Sequence, residues 1–271
     1  MQGTTVCKIY LDYLLICNNG KHMKSFFKSK IILLLFLMMM VEMLNAQTRS
    51  FTFNNSASKE GFSTTSRSAS NIRMRHSLKK LTLNRIVDNG YSGEQIELSG
   101  IFLPADQGKP NLPTNSCFVA VPHGSTVNYN VNNSQVQIIN NVDLMAASPI
   151  YADTDDTMAT YEKDTSIYNV NAFYPENPVV VSEIMDLRGV QSVIVSVTPY
   201  QYNPVTKELK VFHDIDLSLS YENGDGYYAD ERLRSPYFDK VLQQSLVNYN
   251  QLPVVDYESR MRQWVSGGNT G

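Results

Sequence analysis

From Leu81 onward, apolar and polar residues alternate with the period of a half-buried β-strand, in short runs stopped by Gly, Pro or Asn. "LTLNRIV" (Leu81–Val87) is followed by turn chemistry at Asn89-Gly90, and "EQIELSGIFLP" and "SCFVAVP" each end on Pro. "STVNYNVNNSQVQII" places Val127, Tyr129 and Val131 on one face, with an Asn-rich turn expected beyond them. "NPVVVSEIMDLRGVQSVIVSVTP" predicts two further strands separated at Arg188-Gly189. Thr198 to Tyr221 reads as a hairpin turned by "QYNPVTKE", where Pro204 presets φ. Its second strand is expected to set Leu209, Val211, Ile215, Leu217, Leu219 and Tyr221 on one buried face. Lys210, Asp214, Asp216, Ser218 and Ser220 would point the other way, to water.

This texture predicts an all-β fold, an antiparallel β-sandwich with one C-terminal helix. The helix follows Ser235, a good N-cap, with Pro236 in its first turn and Phe238, Val241, Leu242, Leu246 and Tyr249 on one side. Residues 47–80, rich in Ser, Asn and Thr, read as a flexible basic arm, 81–250 as the sandwich, and 251–271 as a linker and tail. The segment Asp143–Tyr174 is acidic and lacks a strand pattern, so it reads as a surface excursion where a partner would be met.

Residues 1–46 have a different character. Lys24, Lys28 and Lys30 precede the apolar run Ile31–Val41, and "LNA" (Leu44–Ala46) precedes Gln47. A basic start, a run too short to cross a bilayer and a small final residue predict a secretory signal peptide, with Met23 as the expected start. Cleavage between Ala46 and Gln47 would export the protein without a permanent membrane span. The exported part keeps 18 basic and 24 acidic residues, and such a chain, lacking a basic stripe, argues against nucleic acid as partner.

Charge is unevenly distributed. From Gln47 to Arg85 there are eight basic residues against Glu60 alone, whereas Asn141–Val190 holds nine acids against Lys163 and Arg188. An arm latched across an acidic face is one expectation; two separately solvated surfaces are the other, since exposed pairs contribute only about 0–1 kcal/mol.

Little in the chain carries chemistry. Cys117 is the only cysteine after Ala46, so the exported part cannot close an internal disulfide. It shares the run "CFVAVPHGS" with His123, but on an extended strand the two lie about 20 Å apart, too far for a nucleophile and its base. Cys117 is therefore expected to be a small core residue. There is no CxxC, HExxH or glycine-rich phosphate loop, and no cofactor is expected. Asp153, Asp155 and Asp156 could form at most a weak cation site. These observations predict a non-catalytic chain.

"PYQYNPVTKELKVFHDIDLSLS" resembles the end of the propeptide of gingipain-type cysteine peptidases, exported enzymes of Bacteroidetes-like bacteria. "GKPNLP" (Gly108–Pro113) is similar to that family's Gly-x-Pro-x-Leu-Pro segment, and "AVP", "FYPENPV", "DLRGVQSV" and "VNY" fall in the expected order. The resemblance implies a β-sandwich prodomain that assists folding of a caspase-like peptidase, keeps it latent by covering its cleft, and is removed by proteolysis. The implied partner is that peptidase, in cis or in trans. Arg260 and Arg262 in "ESRMRQW" are then the candidate processing residues.

In arginine-specific members the resemblance implies a basic residue in the blocking loop. Here no Lys or Arg lies between Lys109 and Lys163, and "SPIYADTDD" (Ser148–Asp156) offers Tyr151, Ala152 and Asp153 as the candidates. A free-standing secreted sandwich used for binding or adhesion is the alternative from a different class.

Overall fold

The structure is a computed structural model that describes residues 48–55, 57, 59–88, 91–97, 105–148 and 162–267. Its described strands form three sheets. The largest joins β2 (Gly61–Arg67), β3 (Asn71–Ser77), β7 (Thr126–Ile139), β11 (Tyr200–Asn203) and β12 (Glu208–Glu222). The second joins β6 (Asn115–Ala120), β8 (Val179–Val181), β9 (Met185–Asp186) and β10 (Gln191–Val197). The third, in the order β1-β4-β5, consists of Thr48–Thr52, Lys80–Asp88 and Tyr91–Ile96. The first two sheets face each other as the expected antiparallel sandwich.

The sandwich core follows from alternation. Ile72 and Met74 of β3 and Ile215, Leu217, Leu219 and Tyr221 of β12 pack on Cys117, Val119, Val193, Val195 and Val197 of the second sheet. Each fully buried aliphatic side chain of this size contributes about 1.5–3 kcal/mol. A second core beneath β1, β4 and β5 contains Phe53, Leu81, Leu83, Ile96, Leu144, Tyr202, Leu209 and Val211.

Strand β12 serves both cores, which changes the expected picture of its faces. Leu209 and Val211 belong to the second core, whereas Phe212, Ile215, Leu217, Leu219 and Tyr221 belong to the first. The register against β7 skips between Phe212 and Asp214, so His213 is the extra residue of a β-bulge. One inserted residue reverses the alternation, and odd-numbered residues before and after it lie on opposite faces. Asn55 closes the bulge by donating to the carbonyls of Leu78 and His213, both at 3.0 Å, and the Phe53 ring stacks on His213 at 5.1 Å. The other side of β12 is not simply wet: Asp214 is buried beside Ser77 and Arg75.

Four further expectations are corrected. The arm expected over 47–80 is largely built into the sheets as β1, β2 and β3, because its Ile72, Met74 and His76 supply an inward row. Among the described residues its ion pairs run from Arg49 to Glu94 and from Arg75 to Asp214 and Asp216 rather than to the acids of 141–190, of which Asp153, Asp155 and Asp156 lie outside the described residues. The Asn-rich turn after Val131 is instead a bulge at Asn132 within one continuous strand, β7. After helix α2 (Pro236–Ser245), part of the expected tail forms a further helix, α3 (Tyr257–Gly267).

Helix α2 has the expected start, with Ser235 accepting from the Phe238 amide at 3.2 Å. Its buried face, however, is Asp239 and Leu242 rather than Val241, which is half exposed. Asp239 is buried because Arg234 meets it with two bonds, Nε at 3.0 Å and Nη2 at 2.7 Å.

Candidate functional site: a clamped loop base

The excursion expected over Asp143–Tyr174 leaves and re-enters the domain through two stems, 142–147 and 162–176. Both are held by the two segments that carry the resemblance. Leu144, Met145, Ala146 and Ala147 are buried, so the outgoing stem is part of the fold rather than a surface loop. It lies against β5, where Glu94 donates its amide to the Asp143 carbonyl at 2.7 Å and accepts from the Met145 amide at 2.9 Å. On its other side, Asn111 donates to the Met145 carbonyl at 3.0 Å.

Gly108 touches both stems. Its amide donates to the Ala147 carbonyl at 3.0 Å, and its carbonyl accepts from the Asp164 amide at 2.9 Å. The Ala147 amide donates in turn to the Lys109 carbonyl at 2.8 Å. The two ends of the loop are therefore one residue's width apart. Only glycine suits this position: φ is +79°, and a Cβ would stand 2.9 Å from the Glu162 carbonyl oxygen. Pro110 and Leu112 bury the rest of "GKPNLP", Pro110 against Ala146 and Leu112 in the second core.

The returning stem opens with the short helix α1 (Thr165–Tyr168), capped by Asp164. Hydrogen bonds from the Ser166 hydroxyl and amide hold the Asp164 carboxylate below its usual pKa. Lys109 is raised, chiefly by its 2.6 Å bond to Asp106, and so stays charged beside this acid.

Tyr202 is the second residue to touch both stems. Its hydroxyl donates to the Val142 carbonyl at 2.9 Å and accepts from the Leu144 amide at 3.3 Å. Its backbone exchanges two bonds with Tyr174, at 2.8 and 2.9 Å. Gln201 donates to the carbonyls of Pro175 and Glu176, both at 2.8 Å, beside the cis Tyr174-Pro175 bond. Asn203 accepts from the amides of Val205 and Thr206 and so folds the hairpin turn, which ends at Lys207 with φ +55°. The Lys207 carbonyl then accepts from Val142 at 2.9 Å. The hairpin thus serves as the frame of the loop.

The sequence reading singled out both segments and gave Pro204 a role in the turn, but it gave none to Gly108, Gln201 or Tyr202. The isolated signal was Gly before Lys-Pro, a glycine without an adjacent turn partner.

The predicted site residues divide as follows. Tyr151, Ala152 and Asp153, and Asp155 and Asp156 of the weak cation site, lie outside the described residues. So do Ala46 and Gln47. No cluster that could hold a metal ion occurs among the described residues. Arg260 and Arg262 both lie on α3 but differ. The Arg260 guanidinium donates to the carbonyls of Glu231 at 2.7 Å, Arg232 at 3.4 Å and Arg234 at 3.5 Å, whereas Arg262 is exposed. Cys117 is buried in the sandwich core, and burial pushes its thiol up to about 12, so it carries negligible thiolate at neutral pH. His123 lies beyond the end of β6, bonded to the Gly189 carbonyl and set edge-on to Tyr227.

The described framework thus clamps the stems 142–147 and 162–176 together within a sandwich whose only described thiol is buried. The profile of the Propeptide_C25 family matches residues 39–254, and the chain belongs to this family. Lys-gingipain of Porphyromonas gingivalis strain ATCC 33277 is 28% identical over 182 residues, covering 62% of this chain and 10% of its own length. Gingipain R1 of the same species is 31% identical over 124 residues, covering 45% of this chain and 12% of its own. The chain thus spans about a tenth of the length of these relatives.

Two solved structures share the fold at 21% identity. The complex of P. gingivalis RgpB pro- and mature domains matches with a TM-score of 0.59, over 69% of this chain and 97% of that one. The structure describing zymogenic latency of gingipain K matches with a TM-score of 0.57, over 65% and 99%. The propeptide resemblance and the sandwich expected from the sequence therefore both hold.

Proposed function

We propose that this chain is an exported, non-catalytic prodomain that acts as chaperone and inhibitor of a gingipain-like, caspase-fold cysteine endopeptidase and is released by proteolysis. The observation that carries the reading is the loop base. Family membership supplies the class, and the convergence of Gly108 and Tyr202 on both stems supplies the device. A loop with its ends already closed loses less conformational entropy on docking than a free one, which favours an inhibitor that must not itself be remodelled. The loop that meets the cleft is Ser148–Asp156, with Tyr151, Ala152 and Asp153 as its contact candidates. In cis, tethering at an effective concentration of about mM keeps the cleft covered even at modest affinity.

Export rests on the leader, with cleavage between Ala46 and Gln47. Release is assigned to the α3 segment. Of its two arginines, Arg262 is the one free to enter a peptidase pocket, because Arg260 is spent on three carbonyls.

The test is refolding. A denatured gingipain-type peptidase domain should regain more activity with the full chain present than without it, and that activity should appear only after the chain is digested. Equal recovery with and without the chain would remove the chaperone role. Immediate full activity in its presence would remove the inhibitory one.

A further inference from the structure

Strand β7 forms an open edge of the large sheet. It pairs with β12 on one side, and among the described residues no strand covers the other. At 14 residues it presents about 45 Å of unpaired backbone. Such edges are normally blunted by Lys, Pro or inward charges. Thr126–Ile139 contains no charged residue and no Pro. The opposite edge, β2, is half as long and ends on Arg67.

The register fixes which side chains share a face. Val127, Tyr129 and Val131 stand opposite Tyr221, Leu219 and Leu217, and beyond the Asn132 bulge Ser134 and Val136 stand opposite Ile215 and Phe212. These β12 residues all point into the sandwich core, so their β7 partners lie on that side, followed by Ile138 two residues on. Yet Tyr129, Val131, Val136 and Ile138 remain 45, 39, 42 and 51% exposed, an apolar row along an unpaired edge.

The row reads nearly the same in both directions about Asn132-Asn133. If a second copy is laid antiparallel with a two-fold axis at that point, Val127 faces Ile138 of the second copy. Tyr129 faces Val136, and Val131 faces Ser134. The bulge preserves the match, because it keeps both halves of the row on one face. A strand that must meet itself also cannot tolerate charge near its centre, and this one has none.

We propose that β7 is the self-association edge of this chain, through which two copies pair β7 to β7 about Asn132-Asn133 and join their large sheets into one. The occupant is a second copy because the near-palindrome matters only to a strand that meets its own sequence. An unrelated partner strand would need the open backbone but not the symmetry. The inference does not depend on the inhibitory reading, since the loop base lies in the other core.

Sedimentation velocity on the full chain tests it. The chain should be dimeric at micromolar concentration. The double variant Asn132→Lys/Asn133→Lys sets lysine against lysine across the axis and should weaken association at least about tenfold. Both positions are exposed, so circular dichroism should show an intact sandwich. Mixing it with Asn132→Glu/Asn133→Glu should restore a dimer containing one of each. A monomeric full chain, or a dimer indifferent to the lysines, would overturn the proposal. So would a monomeric chain whose lysine variant loses peptidase binding, which would give the edge to the peptidase instead.

Discussion

Gly108 shows how much a single residue can carry. It bonds to both stems of one loop from a backbone conformation and a space that admit no side chain. Gly108→Ala should cost about 1–3 kcal/mol. The loss should appear first as weaker peptidase inhibition, with the sandwich still folded, because the strain falls at the loop base and not in the main core. Thermal unfolding and an inhibition titration on the same sample would separate the two effects.

His76 sets a different expectation at this scale. It lies inside the sandwich with the Phe62 ring edge-on at 5.0 Å and no partner for Nδ1, and burial lowers its pKa to about 4. An unfolded histidine takes up a proton near pH 6.5, so stability is full above that pH and falls as pH drops toward 4. The loss is at most about 3 kcal/mol. Urea midpoints measured between pH 7.5 and 4 should fall accordingly, and His76→Leu should flatten the profile; an unchanged slope in that variant would assign the effect to other groups.

Among the elements, α3 alters the account of processing. Arg260 ties the helix to the turn at Glu231–Arg234, while Arg262 is exposed. Arg262→Ala should therefore remove cleavage in this segment by an arginine-specific peptidase, as read by mass spectrometry of the products. Arg260→Ala should instead loosen the helix and speed cleavage at Arg262. Reversal of the two phenotypes would contradict the assignment.

At the same scale, the strands were legible because their alternation is local. β6, β10, β12 and the split at Arg188-Gly189 stand where the pattern places them, with Arg188 and Gly189 both at positive φ. What could not be read was bulge placement. Neither His213 nor Asn132 differs in composition from its neighbours, yet each reverses a face, and the first divides one apolar row between two cores. The 47–80 segment misled for a related reason: Ser50, Ser63, Thr65, Ser66 and Arg73 occupy exposed positions, and the few inward residues, among them Ile72, Met74 and His76, hold it in the sheets. The stems of the loop were hidden because their order comes from backbone bonds to Gly108 and Tyr202, which leave no periodic trace.

For the whole molecule, the long-range bonds of the hairpin and of "GKPNLP" converge on one place. This chain has no Lys or Arg from Pro110 to Glu162, so under the inhibition proposed above the Ser148–Asp156 segment would fill a cleft of different preference or cover the cleft without entering the pocket. The most direct test of the central claim is a titration of a gingipain-type peptidase with the full chain and with the chain lacking Ser148–Asp156. The account predicts inhibition by the first and at least tenfold weaker inhibition by the second, with both sandwiches folded. Equal inhibition by the two, or none by either, would contradict it.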